Sequence, residues 1–144
     1  WCVERHQAAL LKFITDHVAL LLGNEDEITS LAKSATENLG FEASIDQLRG
    51  NVDELIVTRG ADGAVVCAGA DRVEVAAMPQ GPVIDTTGAG DLFAAGYIFG
   101  RTNGHDIKNS ANLASLAAGE VITHIGARPQ TDLKALAASH LKMA

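Results

Sequence analysis

Asp85-Thr86-Thr87-Gly88-Ala89-Gly90-Asp91 constrains this chain more than any other stretch. It follows the short apolar run Pro82-Val83-Ile84 and precedes the apolar, helix-patterned residues 92–100. Two glycines around an alanine leave almost no side-chain bulk. Backbone N–H groups can therefore converge on an anion at the positive end of the following helix. A transferring phosphoryl group or another oxyanion suits that place. Asp91 stands at the same helix start, where a carboxylate is stabilised as the anion. It can accept a proton from a hydroxyl brought beside the anion, which is what phosphoryl transfer to an alcohol requires. Read alone, Gly-Ala-Gly also fits a plain strand-to-helix turn with Asp91 as its cap.

The pattern around this loop is that of an α/β layered domain. Residues 4–16 place Ala8, Leu11 and Ile14 at helical spacing. Val18–Leu22 reads as a strand buried on both faces and ended by Gly23. Asn24 is a good N-cap for a helix through about Lys33, with Glu25, Asp26 and Glu27 crowding its first turn. A short helix is expected around 44–49. Strands follow at 54–58, 64–68 and 71–77, the last strictly alternating at 72–76 and so half-exposed at an antiparallel edge. Residues 78–83 read as a loop. A long Ala-rich helix is expected over 105–124, with Asp106 near its start, Gly126 ending it and Pro129 preventing its resumption. A final helix is expected over 131–141. The order βα, βββ, αα predicts a mostly parallel sheet with an antiparallel edge. At 144 residues and 47% apolar content, the chain can bury one core and is expected to form a single domain.

Charge and cysteine content narrow the function. A net charge of −7 argues against nucleic acid as a partner but not against a nucleotide, which backbone amides and a metal can hold. Cys2 and Cys67 have no CxxC spacing, so neither a disulfide framework nor structural zinc is expected, and the chain reads as cytoplasmic. No apolar run reaches the ~20 residues of a membrane span. His6, His17, His105, His124 and His140 lack metal-site spacing and read as surface or packing residues.

The string Asp-Thr-Thr-Gly-Ala-Gly-Asp resembles the second signature of the ribokinase (PfkB) family of sugar and nucleoside kinases, matching it at every fixed position. Neither GxxxxGK[ST] nor GxGxxG occurs. The resemblance implies a ribokinase-like αβα fold, ATP and Mg²⁺ as cofactors, and Asp91 as the base beside an anion hole of Gly88, Ala89 and Gly90. Asn24-Glu25-Asp26-Glu27 is similar to the family's Asn-x-x-Glu motif. There Asn24 would contact nucleotide phosphates, and Glu27 would help organise Mg²⁺ indirectly. A capped helix with an acidic first turn explains the same residues without ligand. Thr58-Arg59-Gly60-Ala61-Asp62-Gly63 resembles the family's phosphate- and ribose-contacting turn, with Thr58, Gly60 and Gly63 at its usual positions. It also fits an ordinary hairpin connection. Asn112 matches a position near the adenine. Asp85, with carbonyls of Gly126–Pro129, would hold a monovalent cation, K⁺.

Three strings resemble the adenosine-kinase-like branch: Cys2–His6, Gly23–Glu27, and Ala118–Ile122 before Gly126–Pro129. A sugar kinase of the ribose or fructose type and a non-catalytic nucleotide-binding fragment are the competing readings. Family members are longer, and Trp1 falls near their middle. The chain is therefore expected to be the C-terminal, nucleotide-binding half, with the residues that select a sugar or nucleoside acceptor lying elsewhere. A homodimer is compatible with this reading.

Overall fold

The computed structural model describes residues 2–32 and 39–140. The chain forms two compact units, Trp1–Arg59 with Val65–Arg72, and Gly60–Ala64 with Val73–Ala144. A single four-stranded sheet has the order β1-β2-β3-β4: β1 Leu20–Asn24, β2 Glu54–Thr58, β3 Ala64–Ala68 and β4 Asp71–Val75. Strands β1 and β2 pair in parallel, from Leu20 opposite Glu54 to Asn24 opposite Thr58. The links from β2 to β3 and from β3 to β4 are too short for a crossover, so those neighbours run antiparallel. The α/β fold and the antiparallel edge are as expected, but among the described strands one pairing is parallel and two are antiparallel, because short hairpin links join β2 to β3 and β3 to β4.

In the first unit, helices α1 (Cys2–His17), α2 (Glu25–Ala32) and α3 (Phe41–Leu48) share one core with the sheet. Ile14, Ile28, Leu31, Ile45 and Leu48 pack with Leu55, Val57, Val65 and Cys67. Each large aliphatic side chain buried there contributes about 1.5–3 kcal/mol. Ile56 and Val66 alternate to the opposite face and are buried too, so β2 and β3 read as unbroken apolar runs. Burial also raises the Cys67 thiol above its ordinary range, which keeps it a packing residue. Backbone dihedrals at His6 interrupt α1. The expected helix end at Lys33 lies outside the described residues.

In the second unit, α4 (Ala89–Thr102) and α5 (Ile107–Val121) lie antiparallel and very close. A Cβ added at Gly96 would stand 2.8 Å from Ala114 Cα, and one at Gly100 would stand 2.8 Å from Ser110 Cα. Asp106 caps α5, its carboxylate accepting the Asn109 N–H at 2.7 Å. Helix α6 (Leu133–His140) sets Ala137 and Leu136 against Leu113 and Leu116. The expected helix end at Leu141 lies outside the described residues.

Several boundaries differ from expectation, each for a visible reason. Strand β1 runs on through Gly23 and Asn24 because they continue the ladder opposite Val57 and Thr58. Helix α3 begins at Phe41, three residues early, with Ser44 N–H bonded to the Gly40 carbonyl. Strand β4 stops at Val75, and the next carbonyl, Ala76, accepts the Ser115 hydroxyl instead. Helix α4 starts within the Gly-Ala-Gly segment itself, at Ala89.

Candidate active site

The loop before α4 is held by its own aspartate. Asp85 Oδ1 accepts the Thr87 N–H at 2.9 Å and the Thr87 hydroxyl at 2.7 Å. Its Oδ2 accepts the Gly126 N–H at 3.0 Å. These donors, Gly126 first, hold the Asp85 carboxyl down to about 2.

The same contacts end α5. In a longer helix, the Ile122 carbonyl would accept from the Gly126 N–H. Instead it accepts the N–H groups of Ile84 (2.8 Å) and Asp85 (3.3 Å), while Gly126 N–H turns to the Asp85 carboxylate. Helix α5 therefore closes at Val121, short of the expected 124.

Gly88 fixes the other side of the loop. Its φ of +83° is left-handed, and an added Cβ would lie 2.5 Å from Ala127 Cβ. Only glycine fits there. It is the N-cap of α4, and no side chain caps that helix. The first-turn amides of Gly90 and Asp91 thus stay available to an anion. Asp91 is exposed at the third helical position. Phe93 and Tyr97, one turn apart and buried, anchor the helix behind it. Half-buried Asn112 lies on α5, the helix packed against α4.

Asn24 and Thr58, predicted from separate motifs, come together as opposite residues at the C-terminal ends of β1 and β2. Ligands of open parallel sheets bind at such ends. The Asn24 side chain accepts the Glu27 N–H at 2.9 Å, and Glu27 Oε2 accepts the Asn24 N–H at 2.9 Å. This is a reciprocal capping box. It occupies one Glu27 oxygen and leaves the exposed carboxylate one more. Mg²⁺ commonly takes one or two carboxylates together with substrate phosphates and water, so Glu27 fits that chemistry. Asp85 has oxygen left beyond its three donors, which suits a hard monovalent cation. Among the described residues, no three His, Cys, Asp or Glu side chains gather to hold a metal by themselves.

After Thr58 the chain makes a short 3-10 turn, Gly60–Asp62, closed by Gly63 N–H on the Gly60 carbonyl at 3.2 Å. Gly60 and Gly63 both have positive φ, and a Cβ at Gly63 would fall 2.0 Å from the Val75 carbonyl oxygen.

Two features at these places escaped the sequence reading. Arg59 bonds Glu25 at 3.1 Å and lies 4.5 Å over the Phe41 ring, a contact across 34 and 18 positions that no local pattern announces. Glu120 is buried on α5, where it falls in step with Leu113, Leu116 and Ala117. An acid on that apolar stripe was the readable signal. Among the described residues, no helix is long and apolar enough to cross a membrane.

The family profile described as pfkB family carbohydrate kinase matches residues 3–133. A nucleoside kinase of Methanocaldococcus jannaschii is 32% identical over 131 residues, 91% of this chain and 41% of that protein. The structure of adenosine kinase from Sinorhizobium meliloti superposes with a TM-score of 0.89 at 35% identity, covering 97% of this chain and 42% of that one. That of a probable sugar kinase from Rhizobium etli CFN 42 gives 0.88 at 35% identity, covering 96% and 41%. The chain thus spans about two-fifths of the length of the relatives it matches.

Proposed function

We propose, given that the chain belongs to the pfkB family of carbohydrate kinases, that it carries the nucleotide-binding and catalytic part of an ATP-dependent phosphotransferase. The acceptor is a hydroxyl of a sugar or nucleoside, with adenosine favoured. One observation carries this reading: α4 opens on Gly88-Ala89-Gly90 with no side-chain cap, and Asp91 stands in its first turn.

In this reading the amides of Gly88, Gly90 and Asp91 stabilise charge on the transferring phosphoryl group, while the Ala89 N–H, predicted to join them, is bonded to the Thr86 carbonyl at 3.2 Å. Asp91 takes the proton from the attacking hydroxyl. Thr58, Gly60 and Gly63 contact phosphates and ribose, glycine letting the backbone approach closely. Asn24 contacts phosphate, and Asn112 stands near the adenine. Mg²⁺, organised through Glu27, neutralises phosphate charge, and K⁺ at Asp85 stiffens the loop. Similarity to a nucleoside kinase and an adenosine kinase supports a nucleoside acceptor. A sugar acceptor is the second reading, because the probable sugar kinase is equally similar at 35% identity.

The test is a calorimetric titration of MgATP, with and without K⁺, followed by transfer assays with adenosine, ribose and fructose in the polypeptide that carries this chain. Saturable binding strengthened by K⁺ and a preference for adenosine are expected. Preference for ribose or fructose would favour the sugar reading. A folded protein that binds no nucleotide would remove both.

A further inference from the structure

Glu120 lies in the last turn of α5 and is 2% exposed. A carboxylate there meets the negative end of the helix dipole. Burial opposes its charge as well. Burial, the largest single influence, pushes the carboxyl up, yet the amides of Gln130 and Thr131, the Thr131 side chain and His124 together outweigh it and hold the group below its ordinary range. Both amide bonds fall on Oε1, at 2.9 and 2.8 Å. The other oxygen, Oε2, is buried without a hydrogen bond, and its neighbour is His124 Nε2 at 3.5 Å, a ring whose nitrogens also make no hydrogen bond.

A helix that needed only to pack would carry an apolar residue at 120, as it does at Leu113, Leu116 and Ala117. What the carboxylate adds is a grip on a distant backbone. It holds residues 130 and 131 back against α5. The front of the same segment is held where Gly126 N–H meets Asp85 and Ala127 abuts Gly88. The segment is thus fixed from behind by one buried acid and from in front by the Asp85–Gly88 loop.

We propose that Glu120 is a positioning residue for phosphoryl transfer, fixing residues 126–131 so that they hold the Asp85–Gly88 loop in place. The proposal rests on the kinase reading above. Glu120 touches neither nucleotide nor acceptor and acts only through that segment.

The test compares Glu120→Ala, Glu120→Gln and Ser115→Ala in the polypeptide that carries this chain. Ser115→Ala removes a 2.7 Å bond from the same helix to the Ala76 carbonyl and controls for simple destabilisation. Compared at equal distance below each melting temperature, Glu120→Ala lowers kcat by roughly ten- to a hundredfold, the scale of a misplaced catalytic loop. Ser115→Ala keeps kcat. Glu120→Gln, which retains an acceptor oxygen for the two amides, recovers most of the loss. Hydrogen exchange at Gly126, Gln130 and Thr131 accelerates in Glu120→Ala and not in Ser115→Ala. If Glu120→Ala does not fold, Glu120→Asp, which withdraws the carboxylate by one methylene, carries the same comparison. Unchanged kcat in the Glu120 variants, or an equal loss in Ser115→Ala, overturns the proposal. If the unsubstituted protein binds nucleotide yet transfers no phosphate, the kinase reading fails and the positioning role fails with it. The exchange data would then report the grip of Glu120 by itself.

Discussion

Asp91 is exposed, in the first turn of a helix that no side chain caps. Exchanging it for Asn keeps shape and hydrogen bonding but removes the proton acceptor. Asp91→Asn is expected to retain MgATP binding in calorimetry and to lower turnover by roughly 10²–10⁴. Unchanged turnover would take Asp91 out of the base role. Asp85 differs in kind, because its carboxylate works inside the protein. Its folded pKa of about 2 lies below the ordinary 3.8, so its stabilisation is present above that ordinary value. It is lost as pH falls from about 4 toward 2. Melting curves of wild type and Asp85→Asn should therefore diverge at neutral pH and converge toward pH 2. Gly63→Ala would set a methyl 2.0 Å from a carbonyl oxygen at a left-handed φ. A loss of more than about 1 kcal/mol is expected in urea denaturation. The identities of these residues were legible because their chemistry is local: glycine where φ is positive, aspartate where a helix begins. The three bonds that occupy Asp85 were not legible, since Gly126 lies 41 positions away.

At the scale of elements, Glu27 belongs to two accounts that substitution can separate. As half of a capping box it needs an acceptor oxygen, which Gln supplies. As an organiser of Mg²⁺ it needs the negative charge, which Gln lacks. Glu27→Gln is expected to keep the thermal stability of α2 and to weaken the Mg²⁺ dependence of nucleotide binding. Glu27→Ala is expected to lose both, with about 0.5–2 kcal/mol of stability gone. Wild-type Mg²⁺ dependence in the Gln variant would leave Glu27 as a cap alone. Strands β2 and β3 were readable to the residue because continuous apolar runs flanked by polar and glycine positions fix both ends. The ends of α5 and β4 were not readable, because each is set by a partner from another element: Ile84 and Asp85 for α5, Ser115 for β4. The start of α4 was misplaced for a different reason. Glycine reads as loop, and only the packing of Gly88 on Ala127 shows that the helix begins beside it.

For the whole molecule, the exposed apolar residues matter most. Val83, Ile84, Ile98, Phe99 and Ile125 are each at least 47% exposed, and β1 is an edge of the sheet. Exposed apolar side chains and open strand edges promote association. The chain by itself is expected to self-associate and to melt weakly, as sedimentation and calorimetry would register. A monomer with a cooperative, high-melting transition would contradict that. The ending of α5 carries a further consequence, for where the chain can change length. One residue inserted into the chain adds up to about 3.5 Å of backbone. Between Val121 and Gly126 such an insertion would swing either the Ile122 carbonyl or the Gly126 amide away from Asp85. The exposed turn at Asn103–Gly104, between α4 and α5, carries no such obligation to the loop. Lengthening is tolerable at that turn, whereas between Val121 and Gly126 the residue count itself is part of the site.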